Sequence, residues 1–431
     1  MVELSPSRLH GSLSAPVLGS IGFLNEVMGR FPEAISFAPG APHPETLPDP
    51  QMQHYTDRFL EHLGAKGFAP ERARRMLFEY GPSRGIINDV VSEALWRDHR
   101  IGCAAEELVI TVGAQEAMLL VLRALFASAD DVLAVTNPCF VGITGAARLL
   151  DLDVVPVHET AQGIDLDGLA RACRTARRDG RAIRALYVAP DFSNPGGGRM
   201  SLDCRHRLLE LADQEDFLVL EDNAYGFTAG AGTELPALKA LDTQRRVIHI
   251  GTFAKVAFPG ARVGYVVADQ QVLSEGGGTR PLAAELATLK TMVTVNTSPL
   301  PQAVIAGMLL EHGGSLVELS RHKAALYQRN LSTLTDALDR HLGGGAALPG
   351  IRWNRPEGGF FVRVHLPVRA DARLLEVSAA KYGVLWTPMD QFYLDGAGDT
   401  QIRLSCSYLD PGRIEEGVRR LTAFLTKEIR A

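Results

Sequence analysis

The chain has 431 residues, 46% of them hydrophobic, and a formal net charge of −6. That is enough apolar material for a large core, without the basic excess that marks a nucleic-acid binder. Its five cysteines, Cys103, Cys139, Cys173, Cys204 and Cys406, are odd in number and widely spaced, which fits neither a disulfide framework nor a metal-ligand pattern and points to reduced cytosolic thiols.

Residues 1–50 are rich in Gly, Ser and Pro and are expected to wrap over a site as part of a smaller domain. They show no basic region followed by an apolar run, and no stretch of the chain approaches the ~18 apolar residues of a membrane span, so a cytoplasmic protein is expected. Residues 51–310 alternate strands with helical stretches, as in a mainly parallel α/β sheet covered on both faces, and should form a large cofactor-binding domain. The strand Leu108–Val112 runs into Gly113-Ala114-Gln115, and helical character continues to Leu125. A glycine turn that opens a helix offers free N–H groups and a positive dipole end to an anion, with the Ala114 and Gln115 backbones as donors. Many βα junctions look like this. Phe140, in the strand-end run Asn137-Pro138-Cys139-Phe140, is either a stacking face for a planar cofactor or an ordinary core aromatic.

Three further strands end in polar residues. Ala185–Pro190 leads to Asn194. After a helix over Leu202–Gln214, Phe217–Leu220 leads to Asp222 and Tyr225, and Val247–Ile250 leads to Lys255. In an open α/β sheet the ligand crevice lies outside the carboxyl ends of the strands, so these residues should converge. Lys255, with Thr252 three residues before it and Arg262 seven after, suits an aldehyde cofactor that carries a phosphate, namely pyridoxal phosphate. Desolvation and neighbouring cations would lower its pKa and expose a nucleophilic amine, while Thr252 and Arg262 complete the anion site. Asp222 against the pyridine nitrogen would keep that ring protonated, and a protonated ring draws electrons from the substrate Cα. Asn194 and Tyr225 would donate to the cofactor's phenolate oxygen without adding charge. Singly, each has a plainer reading: a solvated loop lysine, a turn-capping aspartate, an Asn-Pro turn, a core tyrosine. The ordered set favours chemistry.

Beyond Gly313-Gly314 the pattern gives a long helix, Leu316–Leu342, then a Gly343-Gly344-Gly345 loop expected to be the most mobile. Strands follow near Arg352, Phe360 and Ile402, with a terminal helix from Pro411. Residues 311–431 should pack with 1–50 as one discontinuous α+β domain. Arg403, at the start of a short alternating strand, could grip the α-carboxylate of an amino acid with two parallel hydrogen bonds.

The runs Ile35-Ser36-Phe37-Ala38-Pro39-Gly40, Tyr80-Gly81-Pro82-Ser83-Arg84-Gly85, Ser193-Asn194-Pro195-Gly196-Gly197, the Lys255 segment, Pro356-Glu357-Gly358-Gly359-Phe360-Phe361 and Arg403-Leu404-Ser405 carry a resemblance over nearly the whole length. The chain resembles a fold-type I, pyridoxal-phosphate-dependent aminotransferase of the class I/II group, in the branch of aminoadipate and kynurenine aminotransferases. The resemblance implies a sheet of the seven-stranded type, an amino acid and a 2-keto acid as substrates, and Lys255 as Schiff-base lysine and proton shuttle. It further implies Asp222 as pyridinium partner, Asn194 and Tyr225 as phenolate donors, Arg403 as carboxylate clamp and Gly40 as a backbone contact beside it. Tyr80 would reach the cofactor phosphate of a neighbouring subunit, making the protein a homodimer. The chain departs from the branch at Phe140, where many relatives carry tyrosine, at Ala114 and Ala254 in place of serines, and at Ala224 in place of proline. None of these removes a catalytic group.

A closer resemblance is to the transaminases of nonribosomal peptide antibiotic pathways that make hydroxyphenylglycine or dihydroxyphenylglycine. It is carried by Leu9–Leu13, Phe23–Val27, Lys290–Pro299 and Leu385–Met389. Phe23, Leu24, Phe361, Trp386 and Phe392 are then candidates for an aromatic lining, and Tyr393 and His10 for meeting a phenol. The alternatives are an aminoadipate, aromatic or branched-chain aminotransferase, or an oxidase or hydroxylase on the same cofactor. An effector domain of a transcription regulator would need a basic winged helix, for which the stretch before Gln51 has no room.

Overall fold

The computed structural model describes residues 2–47, 51–274, 276–343 and 348–429. Eight strands form the main sheet: β1 (Leu108–Thr111), β2 (Asp131–Asn137), β3 (Asp153–Thr160), β4 (Gly163–Ile164), β5 (Ala182–Val188), β6 (Leu218–Asn223), β7 (Val247–Thr252) and β8 (Gly264–Val267), in the spatial order β1-β8-β7-β6-β5-β2-β3-β4. Strands β7, β6, β5, β2 and β3 pair in parallel, and β8 runs antiparallel between β7 and β1. The count exceeds the expected seven-stranded type by one, because the chain doubles back after Thr160 and Ile164 pairs with Glu159 as a two-residue edge strand.

Both faces of the sheet are covered, which explains why β1 and β2 are buried at every position. The pleat sends alternate residues to opposite layers. Leu108 and Ile110 join one core cluster with Phe253, whereas Val109 joins another with Val121 and Leu133. The register Val188↔Glu221 and Asp222↔Ile250 brings the carboxyl ends of β5, β6 and β7 to a common edge. The segments holding Asn194, Asp222 and Lys255 therefore leave the sheet side by side.

A second, antiparallel sheet consists of β9 (Arg352–Trp353), β10 (Phe361–His365), β11 (Thr387–Pro388) and β12 (Gln401–Ser405), in the order β9-β10-β12-β11. The long helix spans Leu316–Leu342, with the Ser315 side chain capping it by accepting from the Glu318 N–H. Its start packs with the first core through Leu316 and Leu319. Further along, Leu331 and Leu338 belong to a core that also holds Val27, Ile35, Phe37, Leu404 and Leu421. Residues near both ends of the chain thus share one interior.

The first fifty residues differ from a simple wrap, since Pro16–Arg30 form a helix. Gly19, Gly22 and Gly29 weaken its helical signature, and only Pro16 in the first turn marks its start. Gly343 ends the long helix with its N–H on the Asp339 carbonyl, while Gly344 and Gly345 lie outside the described residues. Among the described residues no helix is long and apolar enough to cross a membrane.

Candidate active site

At the carboxyl edge of the main sheet, between it and the second sheet, lies a cavity of about 360 Å³. Gly40, Ala114, Gln115, Phe140, Asn194, Asp222, Tyr225, Thr252, Lys255, Arg262 and Arg403 all line it. Of the site residues expected from sequence, two stand apart. Gly113 lies behind the wall, where its missing side chain makes room for Arg262, and Tyr80 is 89% exposed.

Lys255 sits in a single helical turn, Phe253–Val256, opened by Thr252, whose Oγ1 accepts from the Ala254 N–H at 3.1 Å. Its Nζ donates to the Gly40 carbonyl at 2.5 Å. Burial, helped by the Arg403 and Arg262 charges, lowers its pKa to about 8, against the pull of Asp222. The ammonium form is expensive in a desolvated place beside two guanidinium groups, which favours a free amine.

Asp222 closes β6. Its Oδ2 accepts from the Tyr187 hydroxyl at 2.6 Å, and its Oδ1 is buried with no partner. Burial pushes its carboxyl up to about 6. An orphaned carboxylate oxygen on a cavity wall is costly unless a donor, best a cationic one, arrives to meet it.

Another corner is built for an anion. The helix Gly113–Leu125 begins without a side-chain cap, so its first N–H groups lack side-chain partners. The Gln115 amide is tied to the Gly142 carbonyl at 2.8 Å, which leaves only that residue's backbone for the anion. Arg262, in left-handed backbone with φ 50°, makes no ion pair among the described residues. Gly113, at φ +73°, allows its approach: a Cβ there would stand 2.5 Å from Arg262 Nη2.

Arg403 is 6% exposed and has no carboxylate partner among the described residues. Nη1 donates to Asn194 Oδ1 at 2.6 Å, and Nη2 to the Ala38 carbonyl at 2.8 Å and Thr387 Oγ1 at 3.3 Å. The guanidinium lies 4.4 Å from the Phe361 ring centroid and 5.1 Å from that of Phe392. Burial lowers its pKa to about 10. A buried cation held by neutral groups alone is primed for a carboxylate. Tyr225 packs edge-on against Phe360 and Phe361, and burial raises its phenol well above the usual range, so it remains a hydroxyl donor.

The chemistry of this donor set fits pyridoxal phosphate: a lone lysine amine, an unmatched carboxylate oxygen, neutral donors at Asn194 and Tyr225, and an uncapped helix start beside Arg262. Four residues here escaped the sequence reading. Tyr187 looked like interior strand, Thr387 and Gln391 belong to loop-like runs, and Met28 lies on the unforeseen helix. The aromatic candidates divide. Phe392 lines the cavity and Phe361 backs Arg403. Trp386 is instead wholly buried in the core, its Nε1 donating to Ser378 Oγ at 3.1 Å. Tyr393 does not line the cavity; it is engaged by Gln401 and Arg363. His10 pairs with Asp151 at the surface, 3.2 Å away. The side chains of Phe23 and Leu24 lie outside the described set.

Comparison with known proteins matches residues 53–421 to the model of the family described as aminotransferase class I and II. The chain is 48% identical over 430 residues to the (S)-3,5-dihydroxyphenylglycine transaminase of Amycolatopsis orientalis, covering 99% of this chain and 96% of that one. Among solved structures it resembles a Pyrococcus horikoshii kynurenine aminotransferase in complex with PMP, with a TM-score of 0.82, 27% identity and coverage of 99% and 98%. It also resembles an alpha-aminoadipate aminotransferase from Thermus thermophilus complexed with N-(5'-phosphopyridoxyl)-L-leucine, with a TM-score of 0.79, 29% identity and coverage of 98% and 100%.

Proposed function

The chain belongs to the class I and II aminotransferases, enzymes dependent on pyridoxal phosphate, and from that premise we propose that it moves the amino group between an arylglycine, 3,5-dihydroxyphenylglycine in the first instance, and a 2-keto acid. The observation that carries the substrate class is the 48% identity, over 99% of the chain, to a transaminase named for that amino acid.

When bound, the cofactor supplies a carbonyl that takes up the amino group and a ring that draws electrons from the substrate Cα. The protein's part falls to named side chains. Arg403 holds the α-carboxylate and so fixes the direction of the Cα–H bond, which selects proton loss over decarboxylation. Lys255 Nζ, whose buried amine has a lowered pKa, would be the group that takes up that proton and gives it back. Asp222 Oδ1 would keep the ring nitrogen protonated, Asn194 and Tyr225 would donate to the phenolate oxygen, and Phe140 would offer the ring a stacking face. The Ala114 and Gln115 backbones with Thr252 and Arg262 would hold the phosphate, Gly113 would make room there for Arg262, and Gly40 orients Lys255 through its carbonyl. We further assign residues 51–310 to a large domain and 1–50 with 311–431 to a small one, and place the enzyme in the cytoplasm.

The same reading makes the protein a homodimer. Phe78 and Tyr80 are 80% and 89% exposed, and Gly81 packs near Asn296 and Pro299, close in sequence to exposed Met292 and Val293. This exposed apolar surface supports an interface there, across which Tyr80 would reach the partner's phosphate site.

The test is a spectrophotometric half-reaction screen of arylglycines, aromatic amino acids, glutamate, aminoadipate and arginine on the cofactor-loaded enzyme, with borohydride trapping of the modified peptide. Arylglycines should convert the cofactor fastest, and the trapped peptide should contain Lys255. Preference for another class, or oxygen consumption without a keto-acid acceptor, would displace this reading.

A further inference from the structure

Resting on the arylglycine reading, we infer that Gln391 is the side chain that recognises a ring hydroxyl of the substrate, with Met28, Val141 and Phe392 as the apolar walls around the ring. The polar groups on the cavity wall otherwise have duties. Asp222, Asn194, Lys255 and Gln115 are already hydrogen-bonded to protein groups, and Tyr225, Thr252, Arg262 and Arg403 serve the cofactor or the α-carboxylate. Gln391 remains. With the Tyr187 hydroxyl spent on Asp222, it is the one polar lining residue among those described that has no place in the cofactor's chemistry.

Its own bonding is light. Nε2 donates to the Pro388 carbonyl at 3.3 Å, long for such a bond, and Oε1 has no hydrogen-bond partner among the described residues. The backbone that carries it is nevertheless well fixed. Gln391 lies in the single turn Asp390–Phe392, and this turn is tied to the end of β2 on both sides. The Cys139 N–H donates to the Phe392 carbonyl at 3.0 Å, and the Leu394 N–H to Asn137 Oδ1, also at 3.0 Å. Val141, Met389 and Phe392 form a small apolar cluster there, joined by Val17 and Phe140. The amide therefore stands at the rim of an apolar slot.

A hydroxylated aryl ring asks for that combination: flat apolar walls, and one neutral group that can both donate to and accept from a phenol. Gln391 also lines a neighbouring cavity of about 560 Å³, so it sits in the partition between the two spaces. Its unused oxygen can then turn to the ligand without leaving a buried group unmatched. An acidic side chain would need a cation at this end, and Met28, Val141, Gln391 and Phe392 supply none.

The measurement is the ratio of kcat/KM for 3,5-dihydroxyphenylglycine to that for phenylglycine, in the loaded wild-type enzyme and in Gln391→Leu and Gln391→Met. Both replacements keep bulk and remove hydrogen bonding, so a folding defect in one leaves the other readable. The wild type should favour the hydroxylated substrate, and the variants should lose about tenfold of that ratio. A ratio unchanged in the variants overturns the role of Gln391 while the arylglycine reading stands. A wild type that turns over neither arylglycine removes that reading, and this inference with it.

Discussion

In its proposed role against the ring nitrogen, Asp222 would serve catalysis at the expense of the stability of the cofactor-free fold. Its carboxyl is raised from 3.8 to about 6 because burial strips its water and leaves Oδ1 without a donor. A folded-state pKa above the unfolded value means that the fold prefers the protonated acid. The cofactor-free chain therefore loses stability as pH climbs from about 4 to about 6 and stays lower above, by on the order of 3 kcal/mol. Asp222→Asn removes the charge yet can still accept from Tyr187. Its cofactor-free form should melt at least about 2 °C higher than wild type at pH 7.5, with the gap closing near pH 4. Transamination by the loaded variant should fall by about 10²-fold or more. A lower melting point at pH 7.5 would show that the carboxylate is satisfied without the cofactor. Lys255 behaves in the opposite sense: burial and two arginines depress its amine to about 8. Uptake of pyridoxal phosphate by the cofactor-free protein should accordingly speed up through pH 8 and level off beyond it. A rate still climbing at pH 10 would indicate an ordinary exposed lysine.

At the scale of elements, the phosphate corner depends on two glycines that let three segments meet. A Cβ on Gly264 would lie 2.7 Å from the Gly113 carbonyl carbon and 2.8 Å from the Ala114 nitrogen, and one on Gly113 would strike Arg262. Gly113→Ala combines that contact with an unfavourable positive φ, at about 1–2 kcal/mol. Because Arg262 can move aside, we expect pyridoxal phosphate to bind about tenfold or more weakly, with only a modest fall in melting temperature; unchanged affinity would mean that this turn does not hold the phosphate. Strong local patterns were legible in the sequence. The helices Leu202–Glu215 and Leu316–Leu342, and the start of the last helix at Pro411, lie where periodicity and capping residues put them. The convergence of Asn194, Asp222 and Lys255 followed from one rule about strand ends. The glycine-weakened helix Pro16–Arg30 and the two-residue strand Gly163–Ile164 were hidden because tertiary contacts, rather than local preference, hold them. For the same reason Tyr187 went unnoticed. Its strand reads as plain interior, and only the register with β6 brings its hydroxyl to Asp222.

For the molecule as a whole, the two cores meet along the long helix, whose start packs with the first core and whose later turns pack with the second. The cavity lies between the two sheets, so Arg403 and Gly40 come from the far ends of the chain while Lys255 and Asp222 come from its middle. The proposed homodimer would add a third source. If Tyr80 of one subunit completes the phosphate site of the other, two inactive chains can repair each other, because a hybrid dimer places an intact Tyr80 opposite an intact Lys255 in one of its two sites. Lys255→Ala and Tyr80→Ala proteins should each be severely impaired. Unfolded together at equal amounts and refolded with cofactor, they should regain activity at up to about a quarter of the sites, the share expected from random pairing of two chains. Mixing the folded proteins without exchange should restore nothing. If refolded mixtures stay at the level of their parents while sedimentation shows a dimer, Tyr80 acts within its own subunit or not at all. If the active wild-type enzyme sediments as a 46.6 kDa monomer, the exposed face around Phe78 and Tyr80 has another occupant.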